Sequence, residues 1–177
     1  MLIPGWFISI VTFPGVIVHE AAHMLFCRLR RVAVLDVCFF RTGNPAGYVL
    51  HEPVADFNTQ FLICVGPFIV NSLLCFLICF PAFVPVRVFG QSGHITYFLI
   101  WVGISIGMHA FPSTADAQIL WREARVAARN LNPLALLSFP IVIAIYVACF
   151  LSIFWFDYFY GIALGFGLPS FLLKRLM

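Results

Sequence analysis

The sequence has little charge: Asp, Glu, Lys and Arg make up only 10% of its 177 residues, whereas hydrophobic residues make up 63%. A separate soluble domain needs a more polar surface than this composition can supply, so we expect an integral membrane protein whose surroundings are a lipid bilayer. The net charge of +3 is too small to indicate a nucleic-acid-binding protein. No nucleic-acid partner is therefore expected.

Two further patterns are missing. The six cysteines include no CxxC pair, so they are interpreted as small buried residues and not as a disulfide framework. The first residues lack the positively charged region and the cleavage pattern of a secretory signal. We therefore expect the first apolar segment to be retained.

Apolar runs long enough to cross a bilayer, which takes about 20 helical residues, recur along the chain. They predict an α-helical integral membrane protein with four to five transmembrane helices in a single membrane-embedded domain that covers residues 1–177. The predicted spans are Leu2–Leu29, with a kink or packing notch at Pro14-Gly15, then Asn58–Phe80 before Pro81, Ile95–Phe111, Pro133–Phe156 and a marginal fifth at Tyr158–Leu173.

Two segments between the spans have other patterns. Val32–Val54 has β-forming residues on both sides of the turn-rich stretch Thr42–Gly47, which predicts a small β-hairpin at the membrane surface after the first span. Ala115–Asn130 has arginines at helical spacing together with apolar residues, which predicts an amphipathic helix that lies on the membrane surface.

The basic residues predict an orientation. In a five-span topology with the N-terminus outside, nine of the ten Lys and Arg residues lie on one side and only Arg87 lies opposite. The positive-inside rule places the richer side in the cytoplasm. His19 and His23 precede Arg28 by a few helical turns at most, so a site built on them is expected toward the cytoplasmic side of a multi-pass protein.

The segment His19-Glu20-Ala21-Ala22-His23 is the strongest indication of chemistry. Residues four apart lie on one helix face, so the two imidazoles can bind one metal ion while Glu20 lies beside them as a general base. Ionisable groups at membrane depth cost roughly 2.5 to 3.5 kcal/mol each, so three in five residues require compensation. The alternative is that these histidines form hydrogen bonds within a helix bundle or lie in water at the interface.

A catalytic zinc site usually has three protein ligands and an open fourth position, so a further ligand is needed. It must lie at the same depth, which excludes His94 and Asp157 because the five-span topology places them on the other side. Asp116 follows the third span at the expected depth and is the predicted third ligand. Its alternative role is the N-cap of the amphipathic helix.

These residues resemble the site-2 proteases, a family of membrane-embedded zinc metalloproteases that cut transmembrane helices. Three matches carry the resemblance: the HExxH motif, Gly66-Pro67 with Asn71 in the next span, and Pro112 followed by Asp116 after the third span. They cover roughly residues 4–120, a three-span core, while the C-terminal helices at 133–173 contain no matched motif. The family has proline two residues before the aspartate, whereas three residues intervene here, so a different local turn is expected.

The resemblance implies an enzyme, a zinc metalloendopeptidase that hydrolyses peptide bonds of a transmembrane protein substrate near the cytoplasmic face. It implies that His19, His23 and Asp116 bind Zn²⁺ and that Glu20 is catalytic. It also implies that Asn71 binds the substrate backbone or stabilises the oxyanion, with an interhelical hydrogen bond as the alternative. The hairpin would pair with a locally unwound substrate by strand addition.

Two other functions stay open at this point. One is a catalytically silent membrane scaffold, a subunit of a larger membrane complex that keeps zinc for stability or has none. The other is a haem-binding bundle that uses His19 and His109, although haem ligation gives no reason for Glu20 beside a ligand. A homo-oligomer is compatible with each of these functions.

Overall fold

The computed structural model describes residues 5–54 and 56–176, and most of them are helical. The sequence-based expectation of a helical protein with a small hairpin is confirmed. In chain order the elements are α1 (Gly5–Val11), α2 (Phe13–Leu29), β1 (Val34–Cys38), β2 (Tyr48–His51), α3 (Phe57–Phe89), α4 (His94–Met108), α5 (Thr114–Arg129), α6 (Pro133–Leu151), a 3-10 turn (Ser152–Phe154), α7 (Phe156–Ile162), a π-helical turn (Ala163–Gly167) and α8 (Leu168–Leu176).

Three helical stretches among the described residues are long and apolar enough to cross a membrane, namely Phe57–Phe89, Pro133–Leu151 and Phe156–Arg175. The helices α2 and α4 have 17 and 15 residues and are shorter than a typical span. The count of four to five spans therefore stays a prediction. The part of the predicted first span before Gly5 lies outside the described residues.

The first helical region is interrupted at Thr12, whose backbone leaves the helical conformation, so that Pro14 lies in the first turn of α2. Proline is well tolerated there because its missing N–H would have no helical partner. The predicted kink is therefore a helix start. Gly15 is the predicted packing notch, because a Cβ on it would lie 2.0 Å from the carbonyl oxygen of Ser105 in α4.

Helix α3 is longer than its predicted range of 58–80. It does not end at Pro81 but continues through Pro81 and Pro85 to Gly90, whose φ of 63° forms a left-handed C-cap. Proline removes one backbone hydrogen bond, and neighbouring helices make this tolerable in an apolar environment. Such packing is present, since Phe83 lies between these prolines in a buried cluster that includes Leu173 of α8.

The hairpin follows α2 as predicted. Strands β1 and β2 pair antiparallel, with Cys38 opposite Tyr48 and Asp36 opposite Leu50. The Tyr48 hydroxyl donates a hydrogen bond of 2.8 Å to the Asp36 carboxylate, which links the strands across one face. The loop between the strands turns back onto α2, because a Cβ on Gly47 would lie 2.7 Å from Cγ of Glu20.

The C-terminal helices correct the predicted topology. Helices α5 and α6 pack through small and branched residues such as Leu120 and Val142. The end of α6 returns to the start of α5, where the Cys149 thiol donates to the carbonyl of Pro112 at 3.2 Å. Asp157, which follows this end, borders the same cavity as Asp116, so its predicted placement in a loop on the side opposite Asp116 was wrong.

The stretch from Phe156 to Arg175 then runs back along α4 and α3. Gly161 packs on Met108, and Leu173 packs near the far end of α3 beside Phe83. Arg30, by contrast, pairs with Asp56 at the start of α3, roughly 40 Å from Phe83 along that helix. Lys174 and Arg175 at the end of α8 therefore do not lie on the same side as Arg30. The predicted orientation counted them on that side, so they no longer support it.

Candidate metal centre

The structure brings the three predicted ligands together. Successive turns of α2 place His19 and His23 on one face, where their Nε2 atoms lie 3.1 Å apart. The Asp116 carboxylate approaches from the first turn of α5, with Oδ2 at 3.6 Å from Nε2 of His23. One ligand atom from each residue lies within 4.8 Å of the others. Asp116 thus converges on one point with two histidines that lie more than 90 positions earlier in the sequence.

Backbone carbonyls fix the orientation of both imidazoles. Nδ1 of His19 lies 2.7 Å from the carbonyl oxygen of His109, and Nδ1 of His23 lies 3.0 Å from that of Ile63. A carbonyl can only accept, so each Nδ1 carries a proton, and each ring in its neutral form presents an Nε2 lone pair. Metal-binding histidines are usually oriented in this way.

Two facing lone pairs repel unless a proton or a cation lies between them. Tetrahedral zinc with Zn–N distances of 2.0 to 2.1 Å separates its nitrogen ligands by roughly 3.4 Å. The observed separation of 3.1 Å between Nε2 of His19 and Nε2 of His23 is close to that value. With the carboxylate of Asp116 beside them, the donor set and its spacing fit a zinc ion.

A capping box holds Asp116 in place. The backbone N–H of Asp116 donates to Oγ of Ser113, while the backbone N–H of Ser113 donates to Oδ2 of Asp116 at 3.1 Å. Ser113 is thus the N-cap of α5, and Asp116 is its reciprocal partner. The alternative role predicted for Asp116 was the N-cap of α5. Ser113 occupies that position instead, and Asp116 is its partner in the capping box. The capping contacts aim the carboxylate of Asp116 at His23. Ser113 is one of the three residues between Pro112 and Asp116 that differ from the site-2 protease pattern, and it supplies this cap.

The electrostatic surroundings keep Asp116 negative. Burial raises the pKa of its carboxyl group, but the contacts with His23, which act when that imidazole is protonated at both nitrogens, and the hydrogen bond from Ser113 outweigh burial. The net result is a pKa well below the usual range for aspartate. A carboxylate that stays ionised is a ready ligand for a divalent cation.

Glu20 lies beside the three ligands without joining them. Its side chain is 9% exposed and borders the cavity. Within the described part of the chain, no hydrogen bond or ion pair to its carboxylate is formed. The group is therefore available to accept a proton from something that enters the cavity.

The site opens into a cavity of about 530 Å³. Its walls come from α2, the hairpin loop, the segment before α5, and the chain from the end of α6 to the start of α7. Structural zinc sites are usually closed by four protein ligands, whereas catalytic sites keep one position open. Three candidate ligands beside an open cavity leave room for a fourth ligand, as in catalytic sites.

Asn71 lies behind the metal centre and not in the cavity wall. Its side chain is fully buried at 0% exposure. The side-chain amide donates to the carbonyl oxygens of Ile106 at 3.2 Å and His109 at 2.9 Å. The structure therefore shows the interhelical hydrogen bonds that were the alternative for Asn71. The expected contact of Asn71 with substrate stays a prediction.

The ring of His109 is turned away from the ligands. Its Nε2 pairs with the hydroxyl of Thr12 at 2.8 Å, and only its backbone carbonyl contacts His19. A haem held between the rings of His19 and His109 is incompatible with this arrangement. The carbonyl role of His109 has no sequence signal, since every residue has a carbonyl.

Sequence reasoning missed two side chains at the site. The S-x-x-D spacing of Ser113 and Asp116 is a capping-box pattern and could have been recognised. Asp157 borders the same cavity as Glu20. Its position at the cavity could not have been predicted, because the sequence does not show that the end of α6 returns to the start of α5.

Comparisons with protein-family models, with curated proteins and with solved structures found no match for this chain. The resemblance to the site-2 proteases therefore stays a prediction.

Proposed function

We propose that this protein is an intramembrane zinc metalloendopeptidase similar to the site-2 proteases. One observation carries the proposal: the Nε2 lone pairs of His19 and His23 face each other beside the Asp116 carboxylate, in an open cavity that Glu20 also borders. Two imidazoles and one carboxylate form a common ligand set for catalytic zinc. Four such groups at one point of an apolar helix bundle are costly, which indicates a functional site.

Bound zinc would activate a water molecule and polarise the scissile carbonyl of a peptide. The carbonyls of His109 and Ile63 keep His19 and His23 in the orientation that binding requires, and the capping box does the same for Asp116. Glu20 accepts the proton of the attacking water and delivers it to the nitrogen of the leaving amine. Because no described residue forms a hydrogen bond with the Glu20 carboxylate, this group is free to transfer the proton.

The substrate in this proposal is a transmembrane protein. A helical segment hides its peptide bonds in its own hydrogen bonds, so it must unwind before hydrolysis. Strand β2 contributes Tyr48, Val49 and His51 to the cavity wall, and a two-stranded sheet has free edges. An unwound segment can pair with this hairpin by strand addition. The arginines that follow α2 support a site toward the cytoplasmic side.

The test measures zinc content and cleavage in the same samples. The full chain is purified in detergent as wild type, Glu20→Gln and Asp116→Ala, and each sample is assayed for bound zinc and for cleavage of a labelled transmembrane reporter. We expect stoichiometric zinc in wild type and in Glu20→Gln, less zinc in Asp116→Ala, and cleavage by wild type alone. Cleavage by Glu20→Gln would refute the role of Glu20 as the base.

A second candidate function is a zinc-stabilised scaffold without activity. The close contact of Gly47 with Glu20 favours it, since the hairpin loop covers part of the proposed base. The same experiment separates the two functions. A scaffold would bind zinc and lose thermal stability when chelated, but wild type would cleave no reporter.

A further inference from the structure

The C-terminal helices contribute a carboxylate to the cavity that the proposed chemistry does not use. Asp157 lies in the first turn of α7 and borders the cavity together with Ser152. The Ser152 hydroxyl donates to Oδ1 of Asp157 at 2.8 Å. This is the only hydrogen bond that the described residues make to the Asp157 carboxylate, so its second oxygen is free to bind a ligand.

Aromatic packing fixes this carboxylate relative to the metal ligands. Phe111, in the segment that leads to Asp116, contacts the ring of Phe156 at 5.4 Å and that of Tyr160 at 4.9 Å between centroids. The Tyr160 hydroxyl also pairs with that of Ser72 at 2.7 Å, which ties α7 to α3. Asp157 therefore stands on a rigid support and not on a mobile loop.

The charges around the cavity do not balance. Three carboxylates border it, those of Glu20, Asp116 and Asp157, and no Lys or Arg from the described part of the chain does so. A divalent ion offsets two of these negative charges. The third is left without a cationic partner in a recessed site, where an unpaired charge is costly. A positive group on the substrate would supply the missing partner.

A purely structural role for Asp157 must be weighed against binding. A carboxylate in the first turn of a helix interacts favourably with the helix dipole, and Ser152 adds a hydrogen bond. That role explains why Asp157 is tolerated. It does not explain why the carboxylate borders the cavity with an oxygen left over and no basic residue nearby.

We propose that Asp157, supported by Ser152, is a substrate subsite that binds a lysine or arginine side chain close to the scissile bond. The inference rests on the proposed peptidase function and narrows its substrates to transmembrane segments with a basic residue near the cleavage point. A charge-assisted hydrogen bond from the substrate to the free oxygen of Asp157 is stronger than a neutral one. The subsite therefore discriminates by charge.

The test compares two reporter peptides that are identical except for lysine or methionine at one position, and that position is moved through the residues flanking the cleaved bond. For the full-length wild type we expect, at one of these positions, a kcat/KM at least tenfold higher for the lysine peptide. In Asp157→Asn the ratio falls to about one, and most of the change lies in KM. Asp157→Glu, which keeps the charge, restores part of the preference.

Binding is measured separately, so that the two proposals can fail independently. The fluorescent lysine and methionine peptides are titrated into zinc-loaded Glu20→Gln and into the Glu20→Gln, Asp157→Asn double variant. The subsite predicts a preference for lysine in the first protein only. If wild type cleaves neither peptide but this preference is found, the peptidase proposal fails and the subsite stands.

Three outcomes overturn the inference. One is a wild type that shows no preference for the lysine peptide at any position, in either cleavage or binding. Another is an Asp157→Asn variant in which both peptides are affected equally and their ratio is preserved, which is the signature of a structural role. The third is a preference that persists in Asp157→Asn.

Discussion

Nδ1 of His19 and the carbonyl oxygen of His109 are 2.7 Å apart, and the amide of Asn71 reaches the same oxygen at 2.9 Å. One carbonyl thus joins the helices α2, α3 and α4 at the metal centre. Its hydrogen bond sets which nitrogen of His19 carries the proton. Asn71 contacts the proposed metal ligand His19 only through this carbonyl, so in the proposed function it is a positioning residue.

Replacing Asn71 by leucine should weaken zinc binding. Leucine keeps much of the side-chain volume but cannot donate, so the His109 carbonyl loses one of its two donors and is held less firmly against His19. Loss of such a supporting contact typically lowers metal affinity by 10- to 100-fold, and we expect a decrease of about that size. The measurement is competition for zinc with a chromophoric chelator at neutral pH.

The control for Asn71→Leu is Ser72→Ala, on the adjacent position of α3. It removes the interhelical hydrogen bond to Tyr160 but leaves the His109 carbonyl untouched. We expect its zinc affinity to equal that of wild type. An Asn71→Leu protein that is folded and binds zinc as tightly as Ser72→Ala would show that the carbonyl needs no support from Asn71.

Local patterns predicted the local features of this molecule. The four-residue spacing of His19 and His23 determines their common helix face, and alternating β-formers around turn residues determine the hairpin. The end of α3 could not be predicted, because the packing of this part of α3 in one cluster with Leu173 of α8 cannot be read from the residues around Pro81 and Pro85. Asp157 was misplaced because counting spans does not reveal that α6 packs antiparallel to α5, so that the end of α6 returns to the segment before Asp116.

The N-cap of α3 should give a stability that depends on pH. The hydroxyl of Thr59 donates to the Asp56 carboxylate at 2.8 Å, and this contact lowers the pKa of Asp56 despite partial burial. Because the folded pKa lies below the unfolded value of about 3.9, the carboxylate stabilises the folded state above about pH 4, and this contribution is lost as pH falls through the lowered pKa.

Replacing Asp56 by alanine should therefore lower the free energy of unfolding by about 1 kcal/mol at neutral pH, a typical value for an N-cap. The difference in free energy of unfolding between wild type and Asp56→Ala should shrink in acid well below pH 4, where the side chain at position 56 is uncharged in both proteins. Denaturant titration in detergent at neutral and at acid pH measures this difference. Glu52→Ala, at an exposed position before α3, serves as the control. A difference that is equal at both pH values would contradict the assigned role.

The hairpin loop should control the position of Glu20. A Cβ on Gly47 would lie 2.7 Å from Cγ of Glu20 and 3.0 Å from the carbonyl oxygen of Phe39, so alanine at this position must displace either the loop or the side chain of Glu20, the proposed base. A displacement of about 1 Å can cost a hundredfold in rate, and for Gly47→Ala we expect kcat/KM to fall by roughly ten- to a hundredfold. Zinc content should stay at the wild-type level, because no ligand moves.

Gly43→Ala provides a matched control within the same loop. A Cβ there would meet only the Arg41 side chain, at 3.8 Å or more, which is ordinary van der Waals contact. Cleavage by this variant should equal that of wild type. If Gly43→Ala and Gly47→Ala reduce cleavage equally, the loop acts through its general flexibility. If neither does, the contact between Gly47 and Glu20 has no influence on the base, and substrates reach the metal centre without displacing the loop.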